Sequence, residues 1–335
     1  MSFAEFMDEV LYHPDLGYYS KHPDSSDYYT NVDVHPVFAE MLARFFEKEW
    51  KIELQGKPAL ALIELGSGGG LLAKRILAWA REHDKDFYES LSYFCVEKSA
   101  ARRKSCSALE KDFPGRIIAL EAFDFSPESL TAIVFSNEFF DAVPFHRVIG
   151  NGGVLKEIRI GPKFEETLSD LTPPLKDYFK WLGEAPRENC VAEAQISARE
   201  WMAKIGRALK KGAVLTIDYG FEARELFSEI RSEGTALCHF RHKTSRDFYS
   251  LLGDQDITAH VNFTALSKEG ERWGLRSSRL MSQTQFIAEN CLEDAVKLAL
   301  KTSNPRERLK INSAIKSLIH PEGMGGVFKV LLQRK

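Results

Sequence analysis

No apolar run in this 335-residue chain approaches the roughly 20 residues that a membrane-spanning helix requires. Cysteine is sparse: Cys95, Cys106, Cys190, Cys238 and Cys291 are scattered, odd in number and form no C-x-x-C pair. That pattern argues against a disulfide framework or a zinc site and fits a reducing compartment. Neither charge dominates, since 45 Lys and Arg face 48 Asp and Glu for a net −3, which gives nucleic acid no electrostatic footprint. Internal repeats and low-complexity tracts are absent. Met1 leads into SFAEFMDEVLYHPDLGYY, which reads as neither a secretory signal nor an arginine-rich transit peptide, so the expectation is a cytoplasmic protein. What is present is an ordinary globular composition, 44% hydrophobic and 28% charged, on a length that supports one large domain or two.

The most informative stretch is ALIELGSGGGLLAKRILAWA, Ala61 to Ala80. Leu62, Ile63 and Leu65 form an apolar run of strand length, and Leu71, Leu72, Arg75, Ile76 and Trp79 recur at helical spacing. Between them lie Gly66, Ser67, Gly68, Gly69 and Gly70, a sharp turn whose backbone can approach a ligand and whose following helix start offers unpaired N–H groups. A dinucleotide fold wants G-x-G-x-x-G/A, and counted from Gly68 the third place is Leu71. The match is E-x-G-x-G-x-G on Glu64, Gly66, Gly68 and Gly70, which resembles motif I of the Rossmann-like S-adenosylmethionine methyltransferases. A structural glycine turn without a ligand and a nicotinamide or flavin site remain alternatives. A flexible linker is disfavoured, because a strand and a helix abut the glycines directly.

From Pro58 the chain alternates strand and helix, the signature of a parallel sheet with crossovers. The strand candidates are ALALIEL, Leu91 to Glu97, RIIAL, Leu130 to Glu138 and Ala213 to Gly220, each a near-continuous apolar run suited to burial on both faces. HRVIGNGGVLKEIRI predicts a hairpin turning at Asn151-Gly152. Ala192 to Gly212 predicts one helix stopped by Lys210, Lys211 and Gly212. Helices are also expected over SFAEFMDEVLY and Pro36 to Trp50, and VFKVLLQ reads as a last strand. The expected fold is α/β: a Rossmann-like class I methyltransferase with a mostly parallel seven-stranded sheet, an N-terminal helical and aromatic segment, and a large insertion after the fifth strand. The expected divisions are 1–55 as an N-terminal lid, 56–220 as the core with a hairpin near 145–160, 221–318 as a substrate- or partner-binding insertion, and 319–335 as the returning strand.

In an open parallel sheet, ligands sit beyond the carboxyl ends of the strands. Glu97 ends the second strand, 27 residues after Gly70, where a carboxylate can accept from ribose hydroxyls. Asp124, past the third strand, is a candidate for the adenine; the alternative is a loop before a helix capped by Ser126. SNEFFDAVPF ends the fourth strand with Asn137, Glu138 and Asp141 around Phe139 and Phe140. Aromatic faces favour a cation, and a carboxylate can align a guanidinium through a bidentate bond; the bland reading is a core-covering loop. Asp218 and Tyr219 end the fifth strand with weaker support. His260 reads equally as a proton acceptor or as a structural loop residue. No metal site is expected.

Over almost its whole length the chain resembles the MidA-like S-adenosylmethionine-dependent methyltransferases. LYHPDLGYYS, DYYTNVDVHPVFAEMLAR, IELGSGGG, SNEFFDAVPF, AVLTIDYG, DQDITAHVNFTAL and HPEGMGGVFKVL follow one another in the family's order. Ser26, Asp33 and Gly69 depart from the residues the family favours at those places. The resemblance implies an S-adenosylmethionine cofactor, held by Glu64, Gly66, Ser67, Gly68, Gly70, Glu97, Asp124 and Asn137. It implies methyl transfer to an arginine of a partner protein, as in the mitochondrial members that assemble respiratory complex I, with Glu138, Asn137 and Asp141 as catalytic candidates. The blocks Asp27 to His35 and Gln255 to Asn262 are candidates to close over the acceptor. A non-catalytic S-adenosylmethionine-binding assembly protein, a small-molecule methyltransferase and a nicotinamide-dependent oxidoreductase are the competing readings.

Overall fold

Strand β1 (Leu60–Leu65) is flanked by parallel neighbours on both sides and buries Leu62 and Ile63 completely and Leu65 almost so, as strands of a parallel sheet do. The computed structural model describes residues 1–22, 35–56, 59–277, 279–301 and 303–335. Within them the chain divides into two units: Met1–Tyr28, Phe139–Gly206 and Tyr219–Leu275 form the first, and Tyr29–Glu138, Arg207–Asp218 and Arg276–Lys335 the second.

The second unit carries the main sheet. With strands numbered along the whole chain, its members are β1, β2 (Leu91–Val96), β3 (Ile117–Leu120), β4 (Leu130–Asn137), β9 (Leu209–Phe221), β14 (Arg276–Ser277), β15 (Met281–Ser282) and β16 (Phe328–Arg334). They run in the order β14-β16-β9-β4-β1-β2-β3, with β15 also on β16. β2 pairs with β3, β1 with β2, β4 with β1 and β9 with β4 in parallel, while β14 and β15 pair antiparallel with β16. Gly212 and Lys335 exchange backbone hydrogen bonds of 3.1 and 2.9 Å, the reciprocal pattern of an antiparallel pair. The expected mostly parallel seven-stranded sheet is therefore corrected to a mixed sheet of nine strands, counting one further strand on the end of β9. The returning C-terminal strand reverses direction and recruits two short strands that carry too few residues to show a period-2 pattern. The helix Val37–Ile52 lies in this unit, and its Glu49 holds Arg334 of β16 through two hydrogen bonds, 2.9 and 2.5 Å.

The first unit contains two smaller sheets. β5 (His146–Asn151), β6 (Val154–Ile160), β7 (Glu166–Asp170) and β8 (Val191–Ala194) run in the order β7-β6-β5-β8, all antiparallel. β10 (Leu237–Phe240), β11 (Lys243–Ser245) and β12 (Asp256–Thr258) make a three-stranded sheet. β13 (Val261–Asn262) pairs in parallel with Gly220 and Phe221, the end of β9. Helices Phe3–Tyr12 and Tyr18–Lys21 pack here, burying Phe3, Phe6, Tyr18 and Tyr19 with Phe145, Phe248 and Ile257.

Two local expectations change. The hairpin turns at Gly152-Gly153, whose φ angles of +63° and +76° suit a two-residue turn with both central residues left-handed. Asn151 remains in the strand. The helix expected over Ala192 to Gly212 is confined to Ile196–Ala208. Its first residues form β8, which completes a sheet against β5. Its supposed stop lies inside β9, where a Cβ at Gly212 would meet the Ala132 carbonyl oxygen at 1.8 Å.

Candidate cofactor and acceptor site

In the second unit, β1 runs into the glycine turn and the helix Leu71–His83 follows at once. Gly66, Gly68 and Gly70 have φ of +67°, +54° and +82°, which explains glycine at alternate positions. Gly66 N–H donates to the Val96 carbonyl at 2.9 Å, tying the turn to the end of β2. A Cβ at Gly70 would come within 2.8 Å of Leu109 Cδ1, whereas one at Gly68 or Gly69 would meet nothing within 4 Å. The turn is thus closed beneath and open above, and no side chain caps the helix that leaves it.

Glu97 is buried and preset by the turn: one carboxylate oxygen accepts from Gly68 N–H at 2.9 Å, the other from Ser99 N–H at 2.8 Å. Each oxygen keeps a lone pair with which to accept from a hydroxyl. A crevice of backbone, bounded by an oriented carboxylate, fits a nucleoside with an amino-acid tail. Ser67 is buried, its hydroxyl 3.5 Å from Cys106 Sγ. Glu64 lies in the interior, where Tyr93 O–H donates to it at 2.7 Å and burial pushes its pKa up to about 8. There it is a neutral acid bonded to the neighbouring strand β2. Asp124 is exposed in the coil after β3, between Phe123 and Phe125, whose rings lie 4.9 Å apart.

At the end of β4, Asn137 Nδ2 donates to Glu138 Oε1 at 3.0 Å, and Glu138 N–H donates to the Ile217 carbonyl at 3.0 Å. Glu138 has φ +53°, a left-handed conformation that costs a side-chain-bearing residue roughly 1–2 kcal/mol. Such strain clusters where a side chain must be aimed, and the sequence carried no signal for it. Asn137 and Glu138 are both half-buried. Asp218 is fully buried at the end of the second unit's part of β9.

Asp141, Tyr219 and His260 belong to the first unit. Asp141 is buried and accepts a hydrogen bond from Tyr219 O–H. Burial and the nearby Asp256 push its pKa up to about 7. Asp256 in turn accepts from Tyr19 O–H at 2.9 Å. This pairing of tyrosines with aspartates draws on segments too distant in sequence for spacing to suggest. Of the two blocks expected to close over an acceptor, Gln255 to Asn262 is packed into this unit, with Asp256 and Asn262 fully buried. Asp27 to His35 lies outside the described residues except for His35.

A family model described as "Putative S-adenosyl-L-methionine-dependent methyltransferase" matches residues 41–281. The chain is 25% identical over 373 residues to the mitochondrial protein arginine methyltransferase NDUFAF7 of Danio rerio, an alignment that covers 98% of this chain and 82% of that protein. The Homo sapiens protein of the same name is 23% identical over 362 residues, with 98% and 78% covered. A crystal structure from Burkholderia thailandensis, bound to S-adenosyl-homocysteine, superposes with a TM-score of 0.84 at 28% identity, covering all of this chain and 88% of that one.

Proposed function

The chain belongs to the family of S-adenosyl-L-methionine-dependent methyltransferases, and on that premise we propose that it methylates an arginine side chain of a partner protein. When bound, S-adenosylmethionine supplies an electrophilic methyl group on a sulfonium. The backbone of Gly66 to Gly70 would hold the cofactor, Glu97 its ribose, and Asp124 and Asn137 its flanks. Ser67 and Glu64 are buried, with Cys106 and Tyr93 as their partners.

The observation that carries the reading is Glu138: a half-buried carboxylate, steadied by the Asn137 amide in a strained backbone, on the sheet that carries the glycine turn. A guanidinium keeps its proton up to a pKa above about 12, so its recognition calls for a carboxylate rather than a strong base. Glu138 binds the guanidinium and fixes the direction of one nitrogen. Positioning of this kind supplies roughly 7–11 kcal/mol of a bimolecular barrier. Asp141, buried against Tyr219, shapes the same chain segment rather than touching the acceptor. The names of the relatives, arginine methyltransferases at 23 and 25% identity, support the choice of acceptor.

The test is incubation of the purified protein with methyl-labelled S-adenosylmethionine and a protein lysate, followed by mass-spectrometric mapping. Label on arginine is expected. Glu138→Gln should bind the cofactor with unchanged affinity by calorimetry and lose transfer by at least about 100-fold, roughly the 2.7 kcal/mol of a lost charged contact. Label recovered only in small molecules, or unchanged turnover of that variant, refutes the reading.

A further inference from the structure

The closed side of the glycine turn rests on sulfur. Cys106, on the helix Ala100–Ala108 of the second unit, is fully buried. Its Sγ lies 3.5 Å from Ser67 Oγ, and its thiol donates to the Gly68 carbonyl at 3.2 Å. A Cβ at Gly70 would stand 3.3 Å from the same sulfur. The Cys95 thiol of β2 hydrogen-bonds to it from the sheet. One small side chain therefore meets three residues of the turn and exposes nothing to solvent.

The same crossover holds Gly68 by its other polar group. Gly68 N–H donates to one Glu97 oxygen at 2.9 Å, and the second oxygen takes the N–H of Ser99, the residue that opens the helix carrying Cys106. The segment Glu97 to Cys106 thus fixes both the N–H and the carbonyl of Gly68. That restraint matters because Gly68, at φ +54°, and Gly69 have no Cβ to oppose rotation of the peptide between them. A peptide is planar and trans, so its carbonyl and its N–H point in opposite directions. With the Gly68 carbonyl turned in to Cys106, the Gly69 N–H is turned out. Gly69 is exposed, its Cβ position is open, and its N–H meets no acceptor among the described residues.

We propose that Cys106 is a positioning residue for S-adenosylmethionine: its thiol pins the Gly68–Gly69 peptide so that the Gly69 N–H is presented to the cofactor. The inference rests on the placement of the cofactor at the glycine turn and is independent of the methyl acceptor. A thiol is a weak donor, but it acts on a peptide that two glycines leave nearly free to turn, so a small bias decides the orientation. Without the thiol, a turn that holds the competent orientation about one time in ten binds the cofactor about tenfold more weakly.

The experiment uses the full chain, with S-adenosyl-homocysteine as the probe, calorimetry for binding and urea denaturation for folding. Cys106→Ala and Cys106→Val remove the donor with a smaller and a larger side chain, and Cys106→Ser keeps one. The alanine and valine variants should each bind about tenfold more weakly, while the serine variant stays near the parent, whatever the order of the three in stability. Affinities that follow stability rather than the presence of a donor, or parental affinity in the alanine and valine variants, overturn the proposal. A second reading needs no change at Cys106: isotope-labelled glycine in the parent protein, with Gly69→Ala to identify the Gly69 amide signal by NMR. Saturating S-adenosyl-homocysteine should slow exchange of that amide with solvent by about tenfold or more. Unchanged exchange at saturation overturns the proposal together with the placement of the cofactor at the turn. Protection of the Gly69 amide alongside parental affinity in both donor-free variants overturns the role of the thiol alone and leaves that placement standing.

Discussion

Glu64 and Asp141 are carboxyls in the interior, and each holds a proton that the unfolded chain releases. Glu64 titrates at about 8 instead of its ordinary 4.5, chiefly through burial, and Asp141 at about 7 instead of 3.8 for the same first reason. Between the ordinary and the raised value the native state binds more protons than the unfolded one, so stability falls as pH rises through that window. The slope is at most about 1.4 kcal/mol per pH unit and per group. Urea denaturation from pH 5 to pH 8 should therefore show declining stability, and Glu64→Gln should flatten part of the decline. A decline that survives unchanged in Glu64→Gln would show that Glu64 is ionised in the native state. Of these residues, the sequence pointed to Glu64, Glu97, Asn137, Glu138 and Asp141 as chemistry at strand ends. It could not tell their surroundings apart, because those depend on which neighbour takes each carboxylate: Tyr93 for Glu64, Tyr219 for Asp141 and two backbone amides for Glu97.

At the scale of the element, the glycine turn separates folding from binding. Gly70→Ala forces a methyl group toward Leu109 and Cys106 at φ +82° and should cost about 1–2 kcal/mol in urea denaturation. Gly69 lacks that conformation, and its Cβ position is open. Gly69→Ala should keep parental stability yet weaken calorimetric binding of S-adenosyl-homocysteine, because the added methyl group occupies the crevice. Unchanged affinity would remove Gly69 from the site. The turn was legible because a strand run, spaced glycines and a helical stripe each carry their own local period. The segment from Ala192 to Gly212 was not. Its polar and small residues allow a helix throughout, and only the vacant edge of β5 converts Val191–Ala194 into a strand.

For the whole molecule, the C-terminal strand is structural rather than terminal decoration. β16 lies between β14 and β9 in the sheet, and Val330, Leu331 and Leu332 are buried. Deletion of residues 328–335 strips an interior strand and exposes the edge of β9. Cooperative thermal unfolding by circular dichroism should be lost; a sharp transition near the parent's midpoint would contradict this. A milder probe is Arg334→Met, which leaves the Glu49 carboxylate without its guanidinium and should cost about 1–3 kcal/mol. The apolar runs and glycine spacing determined an α/β core with a sharp glycine turn by themselves, because burial on both faces and left-handed backbone leave their mark residue by residue. The reversed direction of the last strand, the two short strands added to it and the strained backbone of Glu138 were decided only in three dimensions. Each depends on a partner far along the chain, and no local pattern encodes which distant group will be there.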